Sequence, residues 1–308
     1  MVRKNEICPY IKCTGCAACM NVCSHEAISM QEDEYGYWHP NIDVTCCVEC
    51  GLCQKICPAL HPLDLHQSKK VYAVVCHDKE EHRTSSSGGA ASAISRYIVS
   101  RNGIVYGCSQ KNYADIKHMR VDEVKDIVLL KGSKYVQSEI GLCFRKVKQD
   151  LQAEKQVLFV GTPCQVAGLM SYLRRGYSNL YVVDLVCHGV ASQRMLREEV
   201  EKNAAVEVKN KEKIYVKFRW KTAHGVQYGL QFCQINDKGK SHTLKSVKFP
   251  YNAYITAFMT GLSFRENCHH CVYAKSDRIG DLTIGDFWGL GAYQKTQIKA
   301  KEGVSLVL

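Results

Sequence analysis

Eight of the 18 cysteines fall into two copies of one pattern, CxxCxxCxxxC, at positions 13, 16, 19 and 23 and again at 47, 50, 53 and 57. Nothing else limits the fold as strongly. Three thiolates so closely spaced wrap one face of a cubane iron-sulfur cluster, and the fourth reaches across to complete its neighbour. The pattern therefore assigns Cys13, Cys16, Cys19 and Cys57 to one 4Fe-4S cluster, and Cys47, Cys50, Cys53 and Cys23 to another. Zinc is the competing reading, but zinc sites pair two short Cys/His hairpins across a long spacer and gain nothing from a third cysteine two residues on. The second copy runs into Pro58, whereas the first ends in Ser24, a change at a turn that removes no ligand. Cys46, beside Cys47, is out of register.

A chain of 308 residues has room for a small N-terminal module and one sizeable domain. So many cysteines imply either a secreted disulfide framework or metal ligation. The opening MVRKNEICPYIKC has no apolar stretch suited to a signal peptide, and no later window is apolar enough to span a membrane. A reducing cytoplasm is the expected setting, with metal ligation as the use of the thiols. The formal charge of +11 counts cysteines as neutral. Each oxidised cluster with four thiolates carries about −2, so three clusters would lower the net charge to about +5. Lys and Arg are dispersed, and the run Lys209 to Lys221 alternates with Ile214, Tyr215, Val216 and Phe218, as a solvated strand face does. Neither a nucleic-acid partner nor membrane insertion is expected.

Residues 1–62 read as a bacterial-type two-cluster ferredoxin module, short on regular structure, with Gly36 to Asn41 in the insertion between its halves. The polar stretch His61 to Lys70 reads as a linker between modules with separate cores. Strand and helix signals then alternate. Strands are expected at Val71 to Cys76, Gly103 to Cys108, Gln156 to Gly161 and Leu180 to Val186, and helices at Gly88 to Ser100, Gln165 to Arg175 and Gln193 to Ala205. This order predicts an α/β core with parallel strands at its centre. Segments 214–220, 226–235 and 244–249 have strand composition without intervening helices and predict an antiparallel extension, with a further helix at Asn252 to Thr260. The fold class is thus α+β overall, a ferredoxin module followed by an α/β core with a mixed sheet. The chain stops inside the apolar run Gly303 to Leu308, which suggests truncation at that end.

A second constellation lies in the core. Successive parallel strands end at the same sheet edge, where open α/β folds bind ligands. Cys164 follows one such strand and Cys187 ends the next. Pro163 suits the first turn of a helix, which places Cys164 at a helix start, where positive partial charge favours a thiolate. Cys268 and Cys271 form a distant CxxC. The four would make a third 4Fe-4S site if they converge. Cys268-His269-His270-Cys271 could equally hold zinc, and buried cysteines could simply fill the core.

The segments GTPCQVAGL (161–169), DLVCHGVAS (184–192), CHHCVYA (268–274), DLTIGDFWG (281–289), TSSSGGAASA (84–93) and KGSKYVQS (131–138) resemble the coenzyme F420-reducing hydrogenase and dehydrogenase beta-subunit family. That family also includes ferredoxin-dependent reductases such as 7-hydroxymethyl chlorophyll a reductase. The resemblance covers nearly everything from Val71 to Leu308, and divides it into an N-terminal region, 71–150, and a C-terminal region, 151–308. It implies an FAD-containing core with its own cubane, held by Cys164, Cys187, Cys268 and Cys271. Cys8, Cys76, Cys108, Cys143 and Cys233 match no motif and are expected to be structural.

Ser85, Ser86, Ser87, Gly88 and Gly89 lie between a strand and a helix, where glycines admit a ligand close to the backbone and free N–H groups suit a pyrophosphate. The plain alternative is a flexible connector. Neither GxGxxG nor GxxxxGKS occurs. Lys131, Ser133, Lys134 and Tyr135 offer cations, a hydroxyl and an aromatic face, and His188 and Asp286 are the candidate catalytic proton handlers. The expected activity is electron transfer between a low-potential one-electron carrier, a ferredoxin or a catalytic redox subunit, and a small two-electron partner such as coenzyme F420, through clusters and FAD. The alternatives are an electron-transfer adaptor without flavin chemistry and a structural metal-binding or nucleic-acid module.

Overall fold

The computed structural model describes residues 6–203, 211–236, 238, 240–292, 295, 297–298 and 300–308. In the N-terminal module the cysteine loops leave room only for single-turn helices, α1 (Ala18–Val22) and α2 (Leu52–Lys55). Each follows a residue in the left-handed region, Ala17 at φ 58° and Gly51 at φ 70°. Between them, β1 (Ile28–Glu32) and β2 (Trp38–Ile42) pair antiparallel. The reading of 36–41 as a bare insertion misses this hairpin, because Pro40 and the polar His39 and Asn41 disguise the second strand.

The core contains β3 (Tyr72–Val74), α3 (Lys79–Thr84), α4 (Ala90–Val99), β4 (Ile104–Asn112), β5 (Asp115–Val121), α5 (Cys143–Gln152), β6 (Val157–Gly161), α6 (Pro163–Leu173), β7 (Leu180–Leu185) and α7 (Gln193–Asn203). It continues with β8 (Ile214–Thr222), β9 (Gly225–Ile235), β10 (Ser241–Lys248), α8 (Ala253–Met259), β11 (Leu282–Asp286) and β12 (Ser305–Val307). Seven strands form one sheet in the order β3-β12-β11-β7-β6-β4-β5. Its centre, β11-β7-β6-β4, is parallel, and β5 and β12 are antiparallel to their inner neighbours. The centre strands read as continuous apolar runs because helices cover the sheet, as in the buried Val157, Leu158 and Phe159.

Thr162 starts α6 with a reciprocal capping box to Gln165, and Pro163 occupies the first turn. The second sheet, β10-β9-β8, is the expected antiparallel extension. Its period-two residues Ile214, Val216 and Phe218 are buried with Leu196 and Val200 of α7 and Phe258 of α8. Positions 204 and 205 of the expected helix, and Lys209, lie outside the described residues.

Four core elements, α3, α5, β5 and β11, were not expected. In α5, Phe144, Val147 and Leu151 are buried at helical spacing among polar residues, whereas β5 hides its alternation behind the buried His118. β11 is short and Gly-containing. The stretch 61–70 is no free linker: Leu63 and Leu65 pack on the core, and His66 pairs backbone to backbone with Arg278. Nor are the cores of the modules wholly separate, although Ile7, Cys19 and Ile28 form a cluster within the N-terminal one. Cys16, Ala17, Ala18 and Ile56 share one apolar cluster with Phe144, Phe159, Val166 and Leu169. Arg145 of α5 fastens the joint, donating to the carbonyls of Asn21 at 2.9 Å and Cys23 at 2.6 Å. Among the described residues no helix is long and apolar enough to cross a membrane.

Candidate iron-sulfur centres and cofactor site

The first thiol group lies inside the molecule. Cys13, Cys16, Cys19 and Cys57 are buried and line one cavity. Burial pushes the Cys16 thiol up to about 11 and Cys19 well above its ordinary value, and neighbouring thiolates add to both shifts. Cys8, outside every motif, lines the same cavity. Its hydrogen bonds with Cys13 and Cys57 raise its own pKa and lower both of theirs. Five thiols meet where the motifs place four. The spacing of Cys8 to Cys13 matches no ligand pattern, so only the fold could reveal it.

The second group is at the surface. Cys47, Cys50 and Cys53 gather around the start of α2, with Cys50 exposed. Burial pushes Cys53 up, and Cys50 and Cys47 push further. Cys23, which ends α1, lines a cleft with Leu52 of α2. The out-of-register Cys46 instead has its sulfur 3.6 Å from the Asp43 carboxylate.

The third group forms at the sheet edge where the parallel strands end. Cys164, Cys187, Cys268 and Cys271 come together there: burial pushes up Cys164, then Cys187 and Cys268 add to the shift, while Cys187, exposed at its surface, is raised by the crowding of atoms around its thiol and then by Cys268 and Cys271. Cys164 is the second residue of α6, as expected, but burial outweighs the helix start and its thiol is not stabilised as thiolate. Thr162 Oγ1 lies 3.1 Å from its sulfur.

Two buried arginines position this group. Arg278 donates to fully buried Asp184 at 2.5 Å and to the carbonyls of Leu185 and Lys275, tying the segment after Cys271 to β7. Arg265, only 1% exposed, accepts the Cys268 amide on its carbonyl, while its side chain donates to the Cys13 carbonyl at 2.8 Å. The same guanidinium meets Gln137 at 3.3 Å and His39 at 2.8 Å. It thereby joins the third group to the first. Helix α6 joins them again. A Cβ on Gly168 would come within 2.8 Å of the Cys16 Cβ, and Gly168 stands one helical turn, about 6 Å along the axis, beyond Cys164. Burial raises the Tyr273 hydroxyl well above its usual value, and the neighbouring Cys164, Cys16, Cys271 and Cys57 add to the shift. Neither arginine carries a local sequence signal, and the 161–169 segment that includes Gly168 does not reveal its contact with Cys16, because each acts across the fold.

The Ser85–Gly89 loop follows β3 and α3 at the same edge and starts α4. Its hydroxyls are engaged: Ser85 donates to the Glu81 carbonyl at 2.7 Å, Ser86 accepts from the Ser133 amide at 2.7 Å, and Ser87 donates to the Val304 carbonyl at 2.8 Å. Gly88 is required by packing, since a Cβ there would lie 2.0 Å from the Val74 carbonyl oxygen. Gly89, at φ 93°, has no side chain to cap α4, and the Ala90 amide donates instead to Ser305 Oγ at 3.4 Å. Lys131 pairs with Glu81 at 2.5 Å; burial alone would raise that carboxyl, but Lys131, Ser92 and Arg96 hold it at about 2. Lys134 donates to the carbonyls of Cys108, Leu130 and Lys131.

Tyr135 stacks on Phe258 at 4.7 Å. Asp286 is paired with Arg219 of β8 at 2.5 Å, and Arg219 Nε is buried without a hydrogen-bond partner. Lys221, two residues on, donates to the carbonyls of His82 and Ser87; burial and then Arg219 lower it to about 8. Trp288, 69% exposed, stacks at 5.8 Å on Tyr228. His188 sits between Phe258 and Phe264, with Nε2 3.3 Å from the Met259 carbonyl. Asp286 and Cys187 each lie two residues past the paired Ile284 and Leu185, so the candidate proton handlers share the edge, engaged separately. The buried, unpartnered Arg219 Nε suits a phosphate-bearing group, and Gly89 leaves the α4 start free of a side chain of its own. The serine hydroxyls, Lys131, Lys134 and Lys221 are satisfied within the protein.

Comparison with known proteins adds three findings. No curated protein matches the chain. One solved structure similar to it is the F420-reducing [NiFe] hydrogenase complex from Methanosarcina barkeri, in a xenon derivative, at 18% identity and a TM-score of 0.49 over 79% of this chain and 75% of that one. Residues 12–60 match the family described as 4Fe-4S dicluster domain, and residues 154–308 match the C terminus of the coenzyme F420 hydrogenase/dehydrogenase beta subunit. With half of its length in the latter match, the chain belongs to the coenzyme F420 hydrogenase/dehydrogenase beta-subunit family of oxidoreductase components, and carries a 4Fe-4S dicluster domain at its N-terminal end.

Proposed function

We propose that this chain is an iron-sulfur flavoprotein that moves electrons between a low-potential one-electron carrier and a two-electron partner of the coenzyme F420 type. Cys47, Cys50, Cys53 and Cys23 would hold the outer cluster, Cys13, Cys16, Cys19 and Cys57 the inner one, and Cys164, Cys187, Cys268 and Cys271 a third. FAD, when bound, supplies the exchange between one-electron and two-electron chemistry that cubanes cannot perform.

The observation carrying this reading is the juxtaposition of the inner and third thiol groups across one turn of α6, with Arg265 bridging them. A storage or structural metal site needs no such succession. The start of α4, where Gly89 brings no side chain of its own, would receive the pyrophosphate, with Lys131 and Lys221 exchanging their present protein partners for it. Asp286, held by Arg219, would stand at the strand edge on the substrate side, and His188 would orient beside Cys187. The physiological redox partner, a ferredoxin or another redox protein of the same assembly, would engage the N-terminal module.

Full-length protein reconstituted anaerobically should hold about twelve iron atoms per chain. Cys164→Ala and Cys268→Ala should each lose about four while keeping the dicluster signals. Iron content unchanged in both would remove the third cluster. A second reading, an adaptor without flavin, is favoured by the internal engagement of Ser85, Ser86, Ser87 and Lys134. Flavin absorbance in the reconstituted protein decides between the two.

A further inference from the structure

Beside the outer thiol group, the joint between the module and the core opens a cleft of about 720 Å³. On the module side it is lined by Cys23 and Leu52, and on the core side by Lys148 of α5 and by Arg174 and Arg175, which follow α6. Arg174 and Arg175 are exposed. Lys148 lies 5.7 Å from the Tyr172 ring centre and Arg175 4.6 Å from that of Tyr177, contacts that fix their direction without neutralising them. Among the described residues no carboxylate pairs with these three cations. Arg120, Arg197 and Arg278, by contrast, are each paired with a carboxylate. Arg145, also in the cleft, is committed to the carbonyls of Asn21 and Cys23.

We propose that this cleft is the docking surface for an acidic one-electron carrier protein of the ferredoxin kind, which delivers or collects electrons at the outer cluster. The inference rests on the reading of the previous subsection and specifies its partner. Unpaired cations beside a redox ligand create a local field that steers an anionic protein toward that ligand, with an on-rate that falls as salt rises. A small organic two-electron acceptor does not suit this position, since the ligand beside the cleft serves a group that exchanges electrons singly. The breadth of the cleft and the exposure of Arg174 and Arg175 also favour a protein surface over an enclosed small molecule.

The test compares reconstituted full-length wild type with the triple variant Lys148→Glu, Arg174→Glu, Arg175→Glu. Reduction of the clusters is followed by stopped flow, with reduced plant-type 2Fe-2S ferredoxin or dithionite as donor, across a range of salt. Wild type should react with ferredoxin at a rate that falls steeply with salt. The variant should be slower by about tenfold or more at low salt and nearly salt-independent, with dithionite reduction and iron content unchanged. Equal rates and equal salt dependence in the two proteins would overturn the docking surface. So would stoichiometric binding of inorganic pyrophosphate to wild type and not to the variant, with ferredoxin rates the same, because it would mark a small-anion site. The single variant Arg175→Gln should give an intermediate loss, and its equality with wild type beside an impaired, iron-poor triple variant would also count against the proposal. Failure of dithionite to reduce wild-type clusters would instead overturn the electron-transfer reading itself.

Discussion

The two halves of the cysteine repeat have the same spacing and opposite surroundings. The half around Cys13, Cys16 and Cys19 is buried, shares an apolar cluster with α5 and α6, and touches a buried arginine. The half around Cys47, Cys50 and Cys53 is partly to fully exposed, beside a cleft rimmed with cations. Identical ligand motifs can therefore serve as an internal relay and as a port. What separates them is what the rest of the chain packs against, and burial of this kind shifts both potential and access.

The largest effect should come from removing an interior thiol. Cys16→Ala should lose about four irons and also loosen the core, because the residue belongs to the shared apolar cluster. Cys50→Ala should lose about four irons with little change in thermal unfolding. Iron analysis and melting curves on both variants check the pair, and equal destabilisation would break the contrast. Gly168→Ala should come next. Its Cβ would press on Cys16, at a cost of about 1–3 kcal/mol. The same change at Gly176, where a Cβ meets nothing within 4 Å, should be nearly silent.

Arg265→Met leaves the Cys13 carbonyl, Gln137 and His39 without their shared donor, a loss of about 2–4 kcal/mol. Withdrawing a buried cation should also lower the inner cluster's reduction potential while leaving the outer one in place. Redox titration followed by electron paramagnetic resonance would show which cluster moves, and an unmoved inner potential would remove Arg265 from the electrostatic account. The smallest change is expected from Cys8→Ala. If the four motif cysteines are the ligands, iron content should stay the same, while loss of its contacts with Cys13 and Cys57 should alter the inner cluster's signal. A loss of about four irons would instead make Cys8 a ligand.

Much of this architecture was legible because its signals are local. The paired CxxCxxCxxxC repeats, the apolar runs of β6 and β7 and the Thr162-Pro163 start of α6 each depend on residues a few positions apart. Alternation revealed β8 and β9 for the same reason. The Ser/Gly loop was recognisable as a strand-to-helix connection, but which of its groups remain free for a ligand was not. Their partners, Val304 and Ser133, lie far along the chain.

By itself, then, the sequence determined the ligand chemistry of the N-terminal module, the alternating order of the core and membership of a redox family. Only the tertiary structure decided that the modules share part of a core and that one half of the repeat faces inward, and it gathered at one sheet edge the Cys164, Cys187, Cys268 and Cys271 that the resemblance had grouped. Arg265, Arg278, Gly168 and Cys8 act through space on residues remote in sequence, and no periodicity encodes such contacts. Spacing specifies which atoms can ligate, whereas packing sets their neighbours, burial and charge.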